Sequence, residues 1–141
     1  YFLGRGINYP VALEGSLKLK EISYIHSEAY PGGEMKHGPI ALLSESFPVF
    51  ALLTKNQLYD KMRSNVEEIA ARRAPLFLLA TDGDESVREL SKQVLFVPDT
   101  MELLEPLLNT VVLQLFAYRI AVKLGKDVDR PRNLAKSVTV E

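Results

Sequence analysis

Apolar residues recur along this chain in short unbroken runs, and that pattern narrows the possible folds more than any single motif. The runs are Tyr1 to Gly4, Pro48 to Thr54, Pro75 to Thr81 and Gln93 to Pro98, each bounded by turn residues and too short for a helix. Continuous rather than alternating apolarity predicts strands covered on both faces. Helical patterns lie between them: Tyr9 to Ile25, Asn56 to Arg73 with Asn56 as N-cap, Asp84 to Ser91, and Met101 to Leu124 closed by Gly125. Strands alternating with helices imply an α/β fold, a doubly wound parallel sheet in three layers. With 141 residues, 47% of them hydrophobic, the chain has the size of one such domain and its core.

Charge and composition exclude several partner classes. Lys and Arg number 17 against 18 Asp and Glu, a net charge of -1, so no field draws nucleic acid or an anionic membrane. No apolar run approaches the roughly 20 residues of a membrane span. The opening Y-F-L-G-R-G has neither an initiator Met nor a basic leader region, so the expected start is one cut from a longer chain. The absence of cysteine removes disulfides and thiolate chemistry and fits a cytoplasmic protein. His26 and His37 are the only imidazoles and show no ligand spacing, so neither a metal nor another cofactor is expected.

In doubly wound sheets, ligands sit outside the carboxyl ends of the strands, here the loops after Gly4, Thr54, Thr81 and Pro98. The first of these, G-R-G-I-N-Y-P, resembles a phosphate cradle but lacks the third glycine of a dinucleotide fingerprint and the G-K-[ST] of a P-loop. It also lacks the Ser and Thr hydroxyls of a sugar-phosphate pocket. T-D-G-D, residues 81 to 84, reads as a strand-to-helix turn.

The first helix carries the most informative pattern. At about 100° per residue, Glu14, Lys18 and Glu21 fall within roughly 60° of arc. Leu13, Leu17 and Tyr24 flank them on one side and Val11, Leu19 and Ile22 on the other, while Ala12, Ser16 and Ser23 opposite are small enough for close packing. Three charges between apolar shoulders fit the floor of a cleft or an interface, with Glu21 as a proton shuttle beside an ammonium. They also fit a plain i, i+4 pair between Glu14 and Lys18.

S-E-A-Y-P-G-G-E-M-K-H-G-P, residues 27 to 39, has too much Gly and Pro for regular helix or strand, and an irregular loop of that length is uncommon without a function. His37, set between Lys36 and a Gly-Pro corner, can move protons near neutral pH, while His26 is placed to cap carbonyls at the helix end. The final D-R-P-R-N-L-A-K-S-V-T-V-E either frays as termini do or closes over a site.

Three stretches in order, A-L-E-G-S-L-K-L-K-E-I-S-Y-I-H-S-E-A-Y, then G-E-M-K-H-G-P, then the terminal P-R-N-L-A-K-S-V-T-V-E, resemble the glutamine:fructose-6-phosphate amidotransferase (glucosamine-6-phosphate synthase) family, in the carboxyl-terminal half of its isomerase part. The resemblance implies a sugar-isomerase (SIS) domain of flavodoxin-like fold over residues 1–126, the second of a tandem pair, and a catalytic tail over residues 127–141. It implies fructose 6-phosphate as substrate and glucosamine 6-phosphate as product. By the same resemblance Glu21 transfers the proton between carbons 1 and 2 with Lys18 assisting, and His37 opens the sugar ring of the adjacent subunit's site. Lys136 forms a Schiff base with the open sugar, and Glu14 and Ala135 lie against the substrate. A Schiff-base lysine must be neutral to attack, which a desolvated or cationic setting near Arg130 and Arg132 would favour.

The family's glutamine-hydrolysing cysteine and the Ser/Thr-rich phosphate loop of the first SIS domain have no counterpart here. The expected partners are therefore that first SIS domain, the glutaminase domain and a second copy in a homodimer, with the isolated chain inactive. Two other readings stand beside this one. One is a regulatory SIS module that senses a sugar phosphate; the other is a dimerisation domain using the apolar helix 101–124, whose apolarity equally fits a core position.

Overall fold

The structure, a computed structural model, describes residues 1–134. Its sheet has five parallel strands, β1 (Phe2–Gly4), β2 (Ala29–Pro31), β3 (Val49–Leu53), β4 (Leu76–Thr81) and β5 (Gln93–Val97), in the order β2-β1-β3-β4-β5. The central pair runs in register from Val49 opposite Leu76 to Leu53 opposite Ala80. Both strands of that pair are buried almost throughout, as their unbroken apolarity predicts. β5 departs from the expectation: it is an edge strand with alternating exposure, and Leu95 faces outward.

β2 corrects the reading of residues 27 to 39 as wholly irregular. Phe2 lies opposite Ala29 and Gly4 opposite Pro31. Proline is tolerated here because an edge strand has one side that needs no ladder donor. After β2 the chain forms 3-10 turns at Gly32–His37 and Pro39–Leu42 rather than a loose loop.

Three α-helices pack on this sheet: α1 (Asn8–Ser23), α2 (Tyr59–Ala70) and α3 (Glu105–Lys123). Alternate strand residues divide the core in two. Phe2, Phe50, Leu52 and Leu79 meet α1 and α3 through Val11, Leu19, Leu113 and Ala117. Leu3, Ala51, Leu53 and Leu78 meet α2 and the 3-10 turns through Met35, Met62, Ile69 and Val87. Each fully buried aliphatic or aromatic side chain in these layers contributes about 1.5–3 kcal/mol from surface removed from water. Gly15 lets α1 and α3 approach closely, since a Cβ there would lie 2.6 Å from Leu113 Cδ1.

Two helix expectations change. Asn56 does not cap α2: its Oδ1 accepts the Leu58 N–H at 2.9 Å in a turn before the helix. Asp84 to Ser91 forms only the 3-10 turn Glu85–Glu89, because the path from β4 to β5 is short and the Ser91 hydroxyl donates back to the Leu76 carbonyl. The T-D-G-D turn stands, with Asp84 N–H donating to Thr81 O at 3.1 Å and Gly83 at φ 82.

The segment Glu102–Lys123 also corrects the sequence reading, being long and apolar enough to cross a membrane by length and composition. One side of it packs on the sheet and α1 through Leu113, Ala117 and Ala121. A second apolar stripe, Leu107, Val111, Leu115 and Val122, faces outward.

Candidate functional site

The turn from β1 into α1 sets the direction of the charged helix. Gly4 approaches the first helical turn too closely for any side chain, and Gly6 takes a left-handed φ of 55. The glycines that resembled a phosphate cradle therefore serve this turn. α1 then runs back along the sheet with Asn8, Val11, Ala12, Ser16, Leu19 and Ser23 buried. Ser27 Oγ donates to Ser16 O at 2.9 Å, tying the strand-ward chain to the helix.

On the outer flank, Lys18 Nζ donates to Glu21 Oε2 at 2.7 Å and lies 3.6 Å from Glu14 Oε1. The surface pair expected between Glu14 and Lys18 is thus the longer contact. The Glu21 hydrogen bond raises the Lys18 pKa, partial burial opposes it, and the charges of Glu21 and Glu14 add to the rise. Lys18 therefore stays an ammonium that orients a carboxylate. All three side chains are part-exposed, so the contacts are worth only about 0.2–0.5 kcal/mol per pair to the helix. Stability alone is a weak reason for this arrangement.

The two shoulders differ. Val11 and Leu19 are core, whereas Leu13 and Leu17 are 46% and 43% exposed. The charges therefore border an open apolar surface on one side and do not lie in a closed cleft. Nor do they sit at the carboxyl ends of the strands, where the generic α/β rule places ligands.

His37 ends the 3-10 turn after β2 and is exposed. Met35 of that turn belongs to the core layer shared with α2, while α1 belongs to the other layer. His37 and Glu21 therefore lie on opposite faces of the sheet and do not meet within one chain. Arg5 lies against the histidine segment at Gly33, where its Nη1 would be 3.0 Å from an added Cβ, and the same Nη1 donates to Asn65 Oδ1 of α2 at 2.9 Å. His26 does not cap α1; its exposed ring lies 3.9 Å from Glu28 Oε1. Ala135 and Lys136 fall outside the described residues, but Arg132 is placed against the end of α1 through Tyr24.

Sequence reasoning missed a buried polar cluster at the carboxyl ends of β1 and β3. Glu105 is 4% exposed. Its Oε2 accepts hydrogen bonds from Thr54 Oγ1 at 2.7 Å and from Asn8 Nδ2 and Asn56 Nδ2, each at 3.1 Å. Asn109, one turn along α3, donates Nδ2 to Asn8 Oδ1 at 2.8 Å. The available signal was an acid directly before Pro106 in a largely apolar segment. Glu105→Ala leaves two buried donors, on Asn8 and Thr54, and the part-buried Asn56 amide without their acceptor and is expected to cost about 2–4 kcal/mol in urea unfolding. Glu105→Gln, which keeps an acceptor oxygen, should cost clearly less; equal costs would show that the cluster is not held by this acceptor.

An apolar cavity of about 400 Å³ opens at the other end of the sheet, lined by Tyr1, Phe2, Ile25, Phe50, Phe77 and Phe116 among others. None of Glu14, Lys18, Glu21 or His37 lines it. Among the described residues no group of three or more His, Cys, Asp or Glu could hold a metal ion.

Comparison with known proteins gives this geometry a context. A family model described as "SIS domain" matches residues 1–124. The chain is 59% identical over 140 residues to the glutamine--fructose-6-phosphate aminotransferase (isomerizing) of Thermus thermophilus, covering 99% of this chain and 23% of that protein. The protein of the same name from Aquifex aeolicus is 56% identical over 140 residues, again with 99% of this chain and 24% of the relative covered. The chain thus spans about a quarter of the length of these curated relatives. Among solved structures, the C-terminal domain of glucosamine-fructose-6-phosphate aminotransferase from Francisella tularensis superimposes with a TM-score of 0.82 at 44% identity, covering 92% of this chain and 36% of that one. A glucosamine-6-phosphate deaminase from Thermotoga maritima gives 0.76 at 27% identity, with 99% and 40% covered.

Proposed function

We propose that this chain, which belongs to the SIS domain family, is the second SIS domain of an isomerising glutamine:fructose-6-phosphate aminotransferase and supplies the proton-transfer side of its sugar site. The observation that carries the reading is the stripe on α1, where Lys18 holds Glu21 at 2.7 Å beside Glu14 on the exposed flank of the helix. An oriented carboxylate is what a shift of a proton between adjacent sugar carbons requires. Glu21 is the shuttle, Lys18 its positioning cation, Glu14 and Ala135 substrate neighbours, and Lys136 the amine that condenses with the open sugar. The identity to named aminotransferases over nearly the whole chain supports the assignment.

The chain does not work alone in this reading. Glu105 puts a carboxylate at the switch point between β1 and β3, an unsuitable place for a phosphate dianion. The phosphate is gripped by the first SIS domain, and ammonia comes from the glutaminase domain. His37, on the far face from Glu21, serves the site of a second copy in a homodimer. The outward stripe of Leu107, Val111, Leu115 and Val122 on α3, and Leu13 and Leu17 on α1, supply apolar surface for those partners. The assembly acts in the cytoplasm, and the isolated chain is inactive.

Borohydride trapping tests the assignment. The chain mixed with a matching first SIS domain and fructose 6-phosphate is expected to yield a reduced sugar adduct on Lys136, mapped by mass spectrometry, and the chain alone to yield none. A mixture shown to bind the sugar but forming no adduct would sink the Schiff-base role.

A further inference from the structure

We propose that Tyr24 is a positioning residue that seats the root of the carboxyl-terminal tail on the end of α1, one helical turn from Glu21. A second role, delivery of Lys136 toward Glu21 by that seating, rests on the reading of Lys136 above; the seating itself rests on the described residues. Tyr24 ends α1 in the left-handed region, at φ 64 and ψ 14. Glycine or asparagine normally takes that place, because an L side chain with a bulky Cβ substituent is strained there. A large aromatic held in such a conformation calls for a compensating contact.

The tail provides it. The Arg132 backbone N–H donates to the Tyr24 hydroxyl at 2.9 Å. The Arg132 guanidinium carbon lies 4.2 Å from the ring centroid, and Lys126 Nζ lies 5.7 Å from it. The ring is therefore held by cations from two points of the segment that leaves α3. That segment is itself shaped. Gly125, at φ 66, closes α3 with Lys126 N–H on Ala121 O at 2.9 Å, and Asp127 Oδ1 accepts the N–H groups of Asp129 and Arg130 at 3.0 and 3.1 Å. Helix stop, side-chain turn and aromatic clamp follow one another and bring residue 132 to the helix that bears Glu21.

Chain length turns this contact into a functional constraint. Lys136 is four residues beyond Arg132, at most about 14 Å of extended backbone. Glu21 lies three residues before Tyr24, about 4.5 Å along the helix axis. Without the clamp the tether runs from Gly125, eleven residues away, a reach of about 40 Å. Local concentration falls roughly as the three-halves power of tether length, so releasing the clamp is expected to lower it about fivefold.

Tyr24→Gly and Tyr24→Phe separate this role from simple helix capping. Glycine fits the left-handed position, so if Tyr24 were only a cap, Tyr24→Gly would leave the tail as protected as before. With a seating role, Tyr24→Gly remains folded by circular dichroism while trypsin cuts after Arg132 roughly tenfold faster, and Tyr24→Phe, keeping the ring, falls between. In the two-domain mixture, Tyr24→Gly is expected to slow borohydride trapping at Lys136 about fivefold. Unchanged cleavage in folded Tyr24→Gly would overturn the seating; faster cleavage with unchanged trapping would overturn delivery. If the parent chain itself traps no sugar, the Lys136 reading and the delivery role both fall, and the cleavage rates still decide the seating.

Discussion

Glu21→Gln in the assembled two-domain enzyme is expected to reduce proton transfer between carbons 1 and 2 of the sugar by about 10²–10⁴-fold, the usual contribution of a positioned acid-base group. The amide keeps the size of the carboxylate and an oxygen that can accept from Lys18 Nζ, which donates to Glu21 Oε2 at 2.7 Å in the parent chain. It cannot carry the proton. The helix should be indifferent, because a part-exposed pair of this kind contributes only a few tenths of a kcal/mol, about 0.2–0.5. Sugar capture, assigned to Lys136 in the proposed function, should survive. Exchange of the carbon-bound proton with deuterated solvent, followed by NMR, measures the first step, and borohydride trapping measures the second. Exchange near the parent rate would remove Glu21 from the chemistry. Joint loss of exchange and trapping would mean that the substitution disturbs binding instead.

Gly4→Ala should be among the most damaging single changes to the fold. A Cβ at Gly4 would lie 2.1 Å from Asn8 O, 2.5 Å from Asn8 C and 2.8 Å from Tyr9 N. All three are backbone atoms of the first turn of α1, so relief requires moving the helix away from β1. The same turn carries Asn8, which joins the buried cluster around Glu105, so displacement would also break that network. The expected loss is about 3 kcal/mol or more, at the upper end for overpacking and a large share of the roughly 5–15 kcal/mol that a domain has. Gly6→Ala provides the contrast. Its Cβ would meet only the Leu58 side chain, Cδ1 at 2.6 Å and Cγ at 3.8 Å, and the flexible end of that side chain can turn away. The remaining cost is the left-handed backbone, about 1–2 kcal/mol. Urea midpoints of the two variants check the ranking, and a Gly4→Ala chain no less stable than Gly6→Ala would refute it.

Part of the site was legible because its residues are neighbours on one helix. Glu14, Lys18 and Glu21 share a flank through the helical period alone, and the structure brings Lys18 against both carboxylates. The buried cluster was not legible, since Asn8 and Asn109 are 101 positions apart and nothing local in either segment specifies the other. Tyr24 and Arg132, 108 positions apart, were hidden for the same reason. The apolarity of α3 left core and interface as alternatives; the fold gives the helix one apolar face toward the sheet and another outward.

The sequence by itself determined the α/β class, strands β1, β3, β4 and β5, the three α-helices within a few residues, and the charged flank of α1. Each depends on apolar or helical periodicity within a short window, where local sterics and burial act together. Only the tertiary structure decided that Ala29–Pro31 is a strand, that Glu85–Glu89 stays a 3-10 turn, and that His37 and Glu21 occupy opposite faces. A three-residue edge strand has no period of its own and exists because β1 offers an unpaired edge. The face on which a loop lands depends on the handed crossover of the chain between parallel strands, a property of the whole sheet and of no single segment.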